Sequence, residues 1–104
     1  MHTKSFVQGW DVVIPIGSDG TGSATLVDNY NSFVVVQVIS SPDVAEQVYK
    51  IDILNTDFNH TVFERFVQGK LNEFMDMPIY GKNTIRIREA VPAEGNITVA
   101  VRYK

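Results

Sequence analysis

Apolar and polar residues alternate along most of this chain with a period of two. Over Asn83–Glu89, Ile85 and Ile87 fall on one side and Thr84, Arg86 and Arg88 on the other. After a turn through Val91–Gly95 the pattern resumes, with Ile97, Val99, Val101 and Tyr103 set against Asn96, Thr98, Ala100 and Arg102. Such alternation predicts strands that bury one face. The earlier segments behave alike. Phe6–Trp10 reads as an edge segment or arm, and Asp11–Ile16 turns Val12, Ile14 and Ile16 inward, with Pro15 removing a ladder donor and so pointing to a sheet edge or a bulge. Gly17–Gly22 predicts a turn, Ser23–Val27 a returning strand and Asp28–Asn31 a second turn. Gln47–Leu54 directs Tyr49, Ile51 and Ile53 inward and Lys50 and Asp52 outward, and Asn55–His60 turns the chain into Thr61–Val67.

Two segments depart from simple alternation, and one has no period at all. Phe33–Ile39 is apolar on both sides, interrupted only by Gln37, and Thr61–Val67 sets Phe63 and Val67 opposite Val62 and Phe66. A sandwich strand with two apolar faces asks for cover on the second. Residues 68–82 mix Leu71, Phe74, Met75, Met77, Ile79 and Tyr80 irregularly. They predict a short strand with loops, or one helical turn over Leu71–Met75, within a packed functional connection. Taken together, the pattern predicts an all-β chain. It is a single antiparallel β-sandwich of about eight strands, jelly-roll or immunoglobulin-like, covering residues 1–104 with 1–9 as an N-terminal arm.

Composition narrows the function classes. At 104 residues and 44% hydrophobic content, one domain with a real core is expected. The net charge is −3 with both signs mixed along the chain, so no basic stripe exists to neutralise phosphates, and nucleic-acid binding is not expected. The absence of cysteine removes disulfides and thiolate chemistry. Zinc would have to rely on His2, His60 and carboxylates, so neither metal nor cofactor is expected. The first ten residues lack the apolar core of a signal peptide. The longest apolar run, Phe33–Val36, is too short to cross a bilayer, so the expectation is a soluble protein made in a cytoplasm.

Each candidate for chemistry has a plainer reading. Asn55, Asp57 and Asn59 open like a calcium loop, but its sixth position is His60 rather than glycine and its twelfth Phe66 rather than glutamate, so a turn is expected. Asp19–Gly22 is glycine-rich without the Lys-Ser/Thr ending of a phosphate loop or a following helix, which again means a tight turn. His60 near Asp57 and Glu64 lacks a nucleophile motif. Glu64, Glu73 and Asp76 could serve glycosidic chemistry only at defined separations. Asn59-His-Thr61 and Asn96-Ile-Thr98 match the glycosylation pattern by chance. No catalytic activity is expected.

What remains is surface. The doubly apolar strands supply Phe33, Val35 and Phe63 as candidate interface residues, and the irregular segment supplies Phe74, Met75, Met77 and Tyr80. Phe6 and Trp10 add aromatic character near the arm. In its cysteine-free length, strand-only patterning, arm over Met1–Gly9 and closing strand over Gly95–Lys104, the chain resembles small tailed-phage structural proteins of the capsid decoration, or cement, type. The resemblance covers the whole chain in style and rests on no diagnostic motif, so no functional residue carries over. It implies a virion protein made in the host cytoplasm, partnered by the major capsid protein or other virion subunits and by copies of itself, with no nucleic acid and no membrane. The alternative is a carbohydrate- or receptor-binding module of phage tail or fibre type, using Trp10, Tyr30 or Tyr80 as stacking platforms.

Overall fold

The computed structural model describes residues 8–26 and 32–104. Eight strands follow one another: β1 (Gln8–Pro15), β2 (Gly22–Leu26), β3 (Phe33–Pro42), β4 (Val48–Asn55), β5 (His60–Gln68), β6 (Leu71–Ile79), β7 (Asn83–Val91) and β8 (Asn96–Tyr103). They form two four-stranded sheets ordered β1-β8-β3-β6 and β2-β7-β4-β5, and every pairing is antiparallel. First pairs with last, second with seventh, third with sixth and fourth with fifth. This nested pairing is that of a jelly roll. An immunoglobulin-like sandwich would pair its first two strands within one sheet, whereas here they lie in different sheets.

The core is the layer between the sheets. Ile14, Val35, Val38, Ile97, Val99 and Val101 enter it from one side, and Leu26, Tyr49, Ile51, Ile53, Ile85 and Ile87 from the other. The alternation in β7, β8 and β4 therefore encodes the inward faces as expected. β1 is an edge strand carrying Pro15, and β6, the opposite edge of that sheet, carries Pro78. A residue without an N–H discourages further pairing at an exposed edge.

Strand β3 is not two-faced in the way its composition suggests. Its register shifts between Val35 and Gln37 against both neighbours. Before the irregularity Phe33 and Val35 are buried; after it Val38 and Ser40 are. A β-bulge resets the parity of everything beyond it, so apolar residues drawn from both alternation frames reach one core. Residues 71–79 also correct the expectation. They form one regular nine-residue strand, neither a loop nor a helical turn. The alternation was hidden because Glu73 occupies an inward-side position, opposite Val38, while Phe74 occupies an outward one. As for the arm, Gln8 and Gly9 belong to β1, paired with Tyr103 and Arg102; residues 1–7, and the turn expected at 28–31, lie outside the described residues.

Turns are fixed by side chains bonding to backbone. Asp19 Oδ1 accepts from the Thr21 amide at 3.1 Å and from the Thr21 hydroxyl at 2.8 Å. The hydroxyl contact, with the amide behind it, holds the Asp19 carboxyl below its ordinary range. Gly20, at φ +78°, closes this turn, and its carbonyl accepts from Ala90 N. At one end of β4, buried Gln47 donates to the carbonyls of Pro92 (2.6 Å) and Glu94 (3.1 Å), and its own carbonyl accepts from Gly69 N. At the other end, Asn55 Nδ2 donates to Tyr80 O at 2.9 Å, and Asn83 Nδ2 to Tyr80 O and Gly81 O. Three buried amides thus lace the connecting turns to the slab.

One polar link crosses the core itself. Tyr49 rises from β4 to meet Ser40 on β3, with 2.6 Å between the hydroxyl oxygens. The phenol has one proton and donates it to Gly69 O at 2.7 Å, so the Ser40 hydroxyl is the donor to Tyr49 Oη. Burial raises the Tyr49 pKa above its usual value, against a smaller opposing effect of Ser40. Below about pH 10 both folded and unfolded chains hold a neutral phenol. Above it the unfolded chain releases this proton while the folded one retains it, so stability falls as pH rises. Tyr49→Phe should cost about 1–3 kcal/mol at pH 7, because Gly69 O and Ser40 lose their partner. In urea titrations between pH 9 and 11 the variant should also lose stability less steeply than the parent. Equal slopes would show that Tyr49 does not stay neutral in the folded state.

Candidate functional site

The outer face of the β2-β7-β4-β5 sheet holds the most organised side-chain arrangement among the described residues. Its register sets side chains in rows: Val91, Val48 and Gln68; then Arg88, Lys50 and Phe66; then Arg86, Asp52 and Glu64. Ser23 extends the third row beyond Arg86. The alternation puts Asp52 on this outward face, as the sequence indicates, yet its side chain is 0% exposed. Arg86 Nε donates to Oδ1 at 2.7 Å, and Arg88 reaches Oδ2 through Nε at 3.0 Å and Nη2 at 2.8 Å. Both guanidinium groups lie over the carboxylate and close it off from water while remaining about one-third exposed themselves (29% and 35%).

The network continues outward. Glu64 Oε2 lies 3.4 Å from both Arg88 Nη2 and Lys50 Nζ. Lys50 Nζ also stands 5.0 Å from the ring centre of Phe66, which is 73% exposed. Desolvating a carboxylate costs several kcal/mol, and charge-assisted hydrogen bonds from two arginines offset that cost. Val48, Val91 and Phe66 border the cluster, giving an apolar strip beside a fixed charge array.

A second feature runs along the edge where β5 lies beside β6. A groove of about 460 Å³ opens there between the sheets, with Phe63, Met75, Met77 and Pro78 among its walls. Arg65 of β5 spans it, donating through Nε (2.9 Å) and Nη2 (2.7 Å) to the two oxygens of Glu73 on β6. Its guanidinium carbon lies 4.7 Å from the Phe63 ring centre. Glu64, Glu73 and Asp76, the carboxylates considered for glycosidic chemistry, all line this groove. Arg65 engages both oxygens of Glu73, and Lys50 and Arg88 share Glu64, so the arrangement holds two of the three as structural ion pairs.

The other chemical candidates resolve into turn geometry. Asn55 Oδ1 accepts from Phe58 N at 3.1 Å, Asp57 Oδ2 from Lys82 N at 3.2 Å, and Asn59 adopts φ +51°. These oxygens serve backbone donors, as the turn reading requires. Among the described residues no three His, Asp or Glu side chains converge as a metal cage.

The candidate interface residues divide by position. Phe33, Val35 and Phe63 are buried at 8%, 0% and 6% and belong to the core, because the β3 bulge and the β5 alternation turn them inward. Trp10, Met75 and Met77 are half-buried and packed against that core. Phe74 and Tyr80 are exposed, Phe74 on the outer face of the β1-β8-β3-β6 sheet and Tyr80 at the β6 end. Phe6 and Tyr30 lie outside the described residues. Sequence reasoning missed Phe58, Phe66, Val48 and Val91, all exposed. For Phe66 the signal was present, since it opposes the inward Phe63 and Val67; for Val48 and Val91, parity counted from Tyr49 and Ala90 would have found them. No protein-family model matches the chain, and a search of curated proteins finds no match.

Asp52→Ala would leave Arg86 and Arg88 without their common partner over a void. Because both arginines can turn to water, the expected loss is about 2–4 kcal/mol, at or below the range for a fully buried pair. Urea denaturation measures it. A loss under about 1 kcal/mol would reduce the network to an ordinary surface pair.

Proposed function

We propose that this chain is a non-enzymatic structural subunit of a virion, a decoration protein that binds and stabilises a capsid lattice and associates with copies of itself. The observation that supports this reading best is the apolar strip of Val91, Val48 and Phe66 on the outer face of a thin jelly-roll slab. Large apolar groups aligned on one sheet face are docking surface rather than core. Phe74, 74% exposed on the opposite face, gives the slab a second point of contact. A subunit with contacts on two faces can bridge neighbours in a lattice. Burial of roughly 800 Å² per partner is typical of a stable association, and such side chains would sit at its centre. The jelly-roll topology is itself shared by viral capsid and lectin domains, so it supports the class without choosing the role.

The carbohydrate-binding alternative has less support. Of its three proposed platforms, Trp10 packs toward the core and Tyr80 stands at the end of the molecule, while Tyr30 is outside the described residues.

The test is solution mass by light scattering over a concentration series, paired with co-sedimentation on capsid shells lacking the subunit. The expected result is a stable oligomer, or retention on shells, that Phe66→Ser with Phe74→Ser weakens at least tenfold while thermal stability changes by no more than a few degrees. Removing residues 1–7, which leaves the β1 pairing of Gln8 and Gly9 intact, should weaken binding if the arm takes part. A monomer at all concentrations that also fails to sediment with shells overturns the proposal.

A further inference from the structure

Arg86 is engaged from one side only. Its Nε donates to Asp52, yet neither Nη1 nor Nη2 makes a hydrogen bond to any described residue. Arg88 differs, since Nε and Nη2 both reach Asp52 and Nη2 also approaches Glu64. Two guanidinium groups therefore share one carboxylate at close range. Of the two arginines Glu64 approaches only Arg88, from the β5 side, and it also pairs with Lys50, which lies 4.0 Å from Glu89. Toward β2, the terminal nitrogens of Arg86 have no hydrogen-bond partner among the described residues.

A hollow of about 290 Å³ opens at that point, lined by Thr21, Gly22, Ser23, Arg86, Ile87 and Arg88. Ser23 lies directly opposite Arg86 in the β2–β7 register and is exposed. β2 is the edge strand, so no further strand of the described residues covers this side of the sheet. The hollow thus combines a guanidinium with two unused nitrogens, a hydroxyl donor beside it and open access.

We infer that this hollow binds a single carboxylate group. The paired Nη nitrogens of an arginine present parallel N–H donors matched to two coplanar oxygens. The Ser23 hydroxyl supplies a third donor. Asp52 orients Arg86 before any ligand arrives, so little ordering entropy remains to be lost on binding. Charge selects the species. Lys50, Arg86 and Arg88 are balanced by Asp52, Glu64 and Glu89, so a monoanion adds one negative charge to a neutral cluster, whereas a dianionic phosphate adds two beside Asp52 and Glu64. The carboxylate can come from an acidic sugar or from an aspartate or glutamate side chain of a partner protein; the binding chemistry is shared.

Nuclear magnetic resonance titration of the full chain at low ionic strength tests this, with sodium acetate as probe and sodium chloride as control. Saturable shifts at Ser23 and the Arg86 Nε–H are expected, with a dissociation constant on the order of 1–10 mM for so small a ligand. Ser23→Glu supplies a carboxylate from the protein itself. It should abolish acetate binding, weakening it at least tenfold, while leaving Asp52 and its partners in place. Thr25→Glu adds the same charge one outward position along β2, opposite Thr84, and should leave binding within twofold. Glucuronate and an N-acetylated, amidated glutamate identify the source, the tighter ligand marking an acidic sugar or a protein side chain. Shifts no different from chloride, saturable binding that survives Ser23→Glu, or inorganic phosphate binding more tightly than acetate would each overturn the assignment.

Discussion

Two sheets packed face to face stand about 10 Å apart, so the layer between them is one side chain deep from each. Inward positions must be apolar or find hydrogen-bond partners, and a strand that changes parity needs an irregularity to do so. The chain meets this constraint in two ways. Where composition cannot keep parity, in β3, a bulge resets it and brings Phe33, Val35 and Val38 to the same side. Where a polar group enters the layer, as with Tyr49, Ser40 provides a donor from the facing sheet and Gly69 O accepts the phenol proton. Both devices keep the layer thin and dry, and the pairing of distant strands is possible only because they do.

Much of this was legible in the sequence. The alternation of β4, β7 and β8 identified Tyr49, Ile51, Ile53, Ile85, Ile87, Ile97, Val99 and Val101 as inward residues, and Pro15 pointed to an edge or a bulge, of which β1 is the edge. Strand order was not legible, because pairing between distant segments depends on long-range packing that no local pattern records. β6 was missed for a local reason. A charged residue can sit on the inner side of an edge strand when a neighbour reaches over to pair with it, as Arg65 does with Glu73, and this disguises the period. The surface was read least well. Alternation says that Asp52 points outward but not that two arginines two residues apart on β7 close over it.

That closure links the fold to its proposed roles. A sheet face bearing only flexible charged side chains presents a blurred, solvated surface to a partner. Here Asp52 immobilises two arginines, Lys50 stands over the Phe66 ring, and Val48 and Val91 lie alongside. The face is pre-shaped, which lowers the entropic cost of docking whether the partner is a protein lattice or a smaller acid.

The position of β8 has a consequence for how the molecule comes into being. This strand, Asn96–Tyr103, is hydrogen-bonded between β1 and β3 and is the last of the eight to leave the ribosome. Until it emerges, β1 has no partner in its own sheet and β3 has one edge bare, while β2 waits for β7. Among the described strands only β4 and β5 are both adjacent in the chain and paired. The nascent chain must therefore travel with most of its apolar alternation uncovered, and the final eight-residue strand converts separate pieces into one sheet. A fold whose keystone arrives last is assembled nearly all at once.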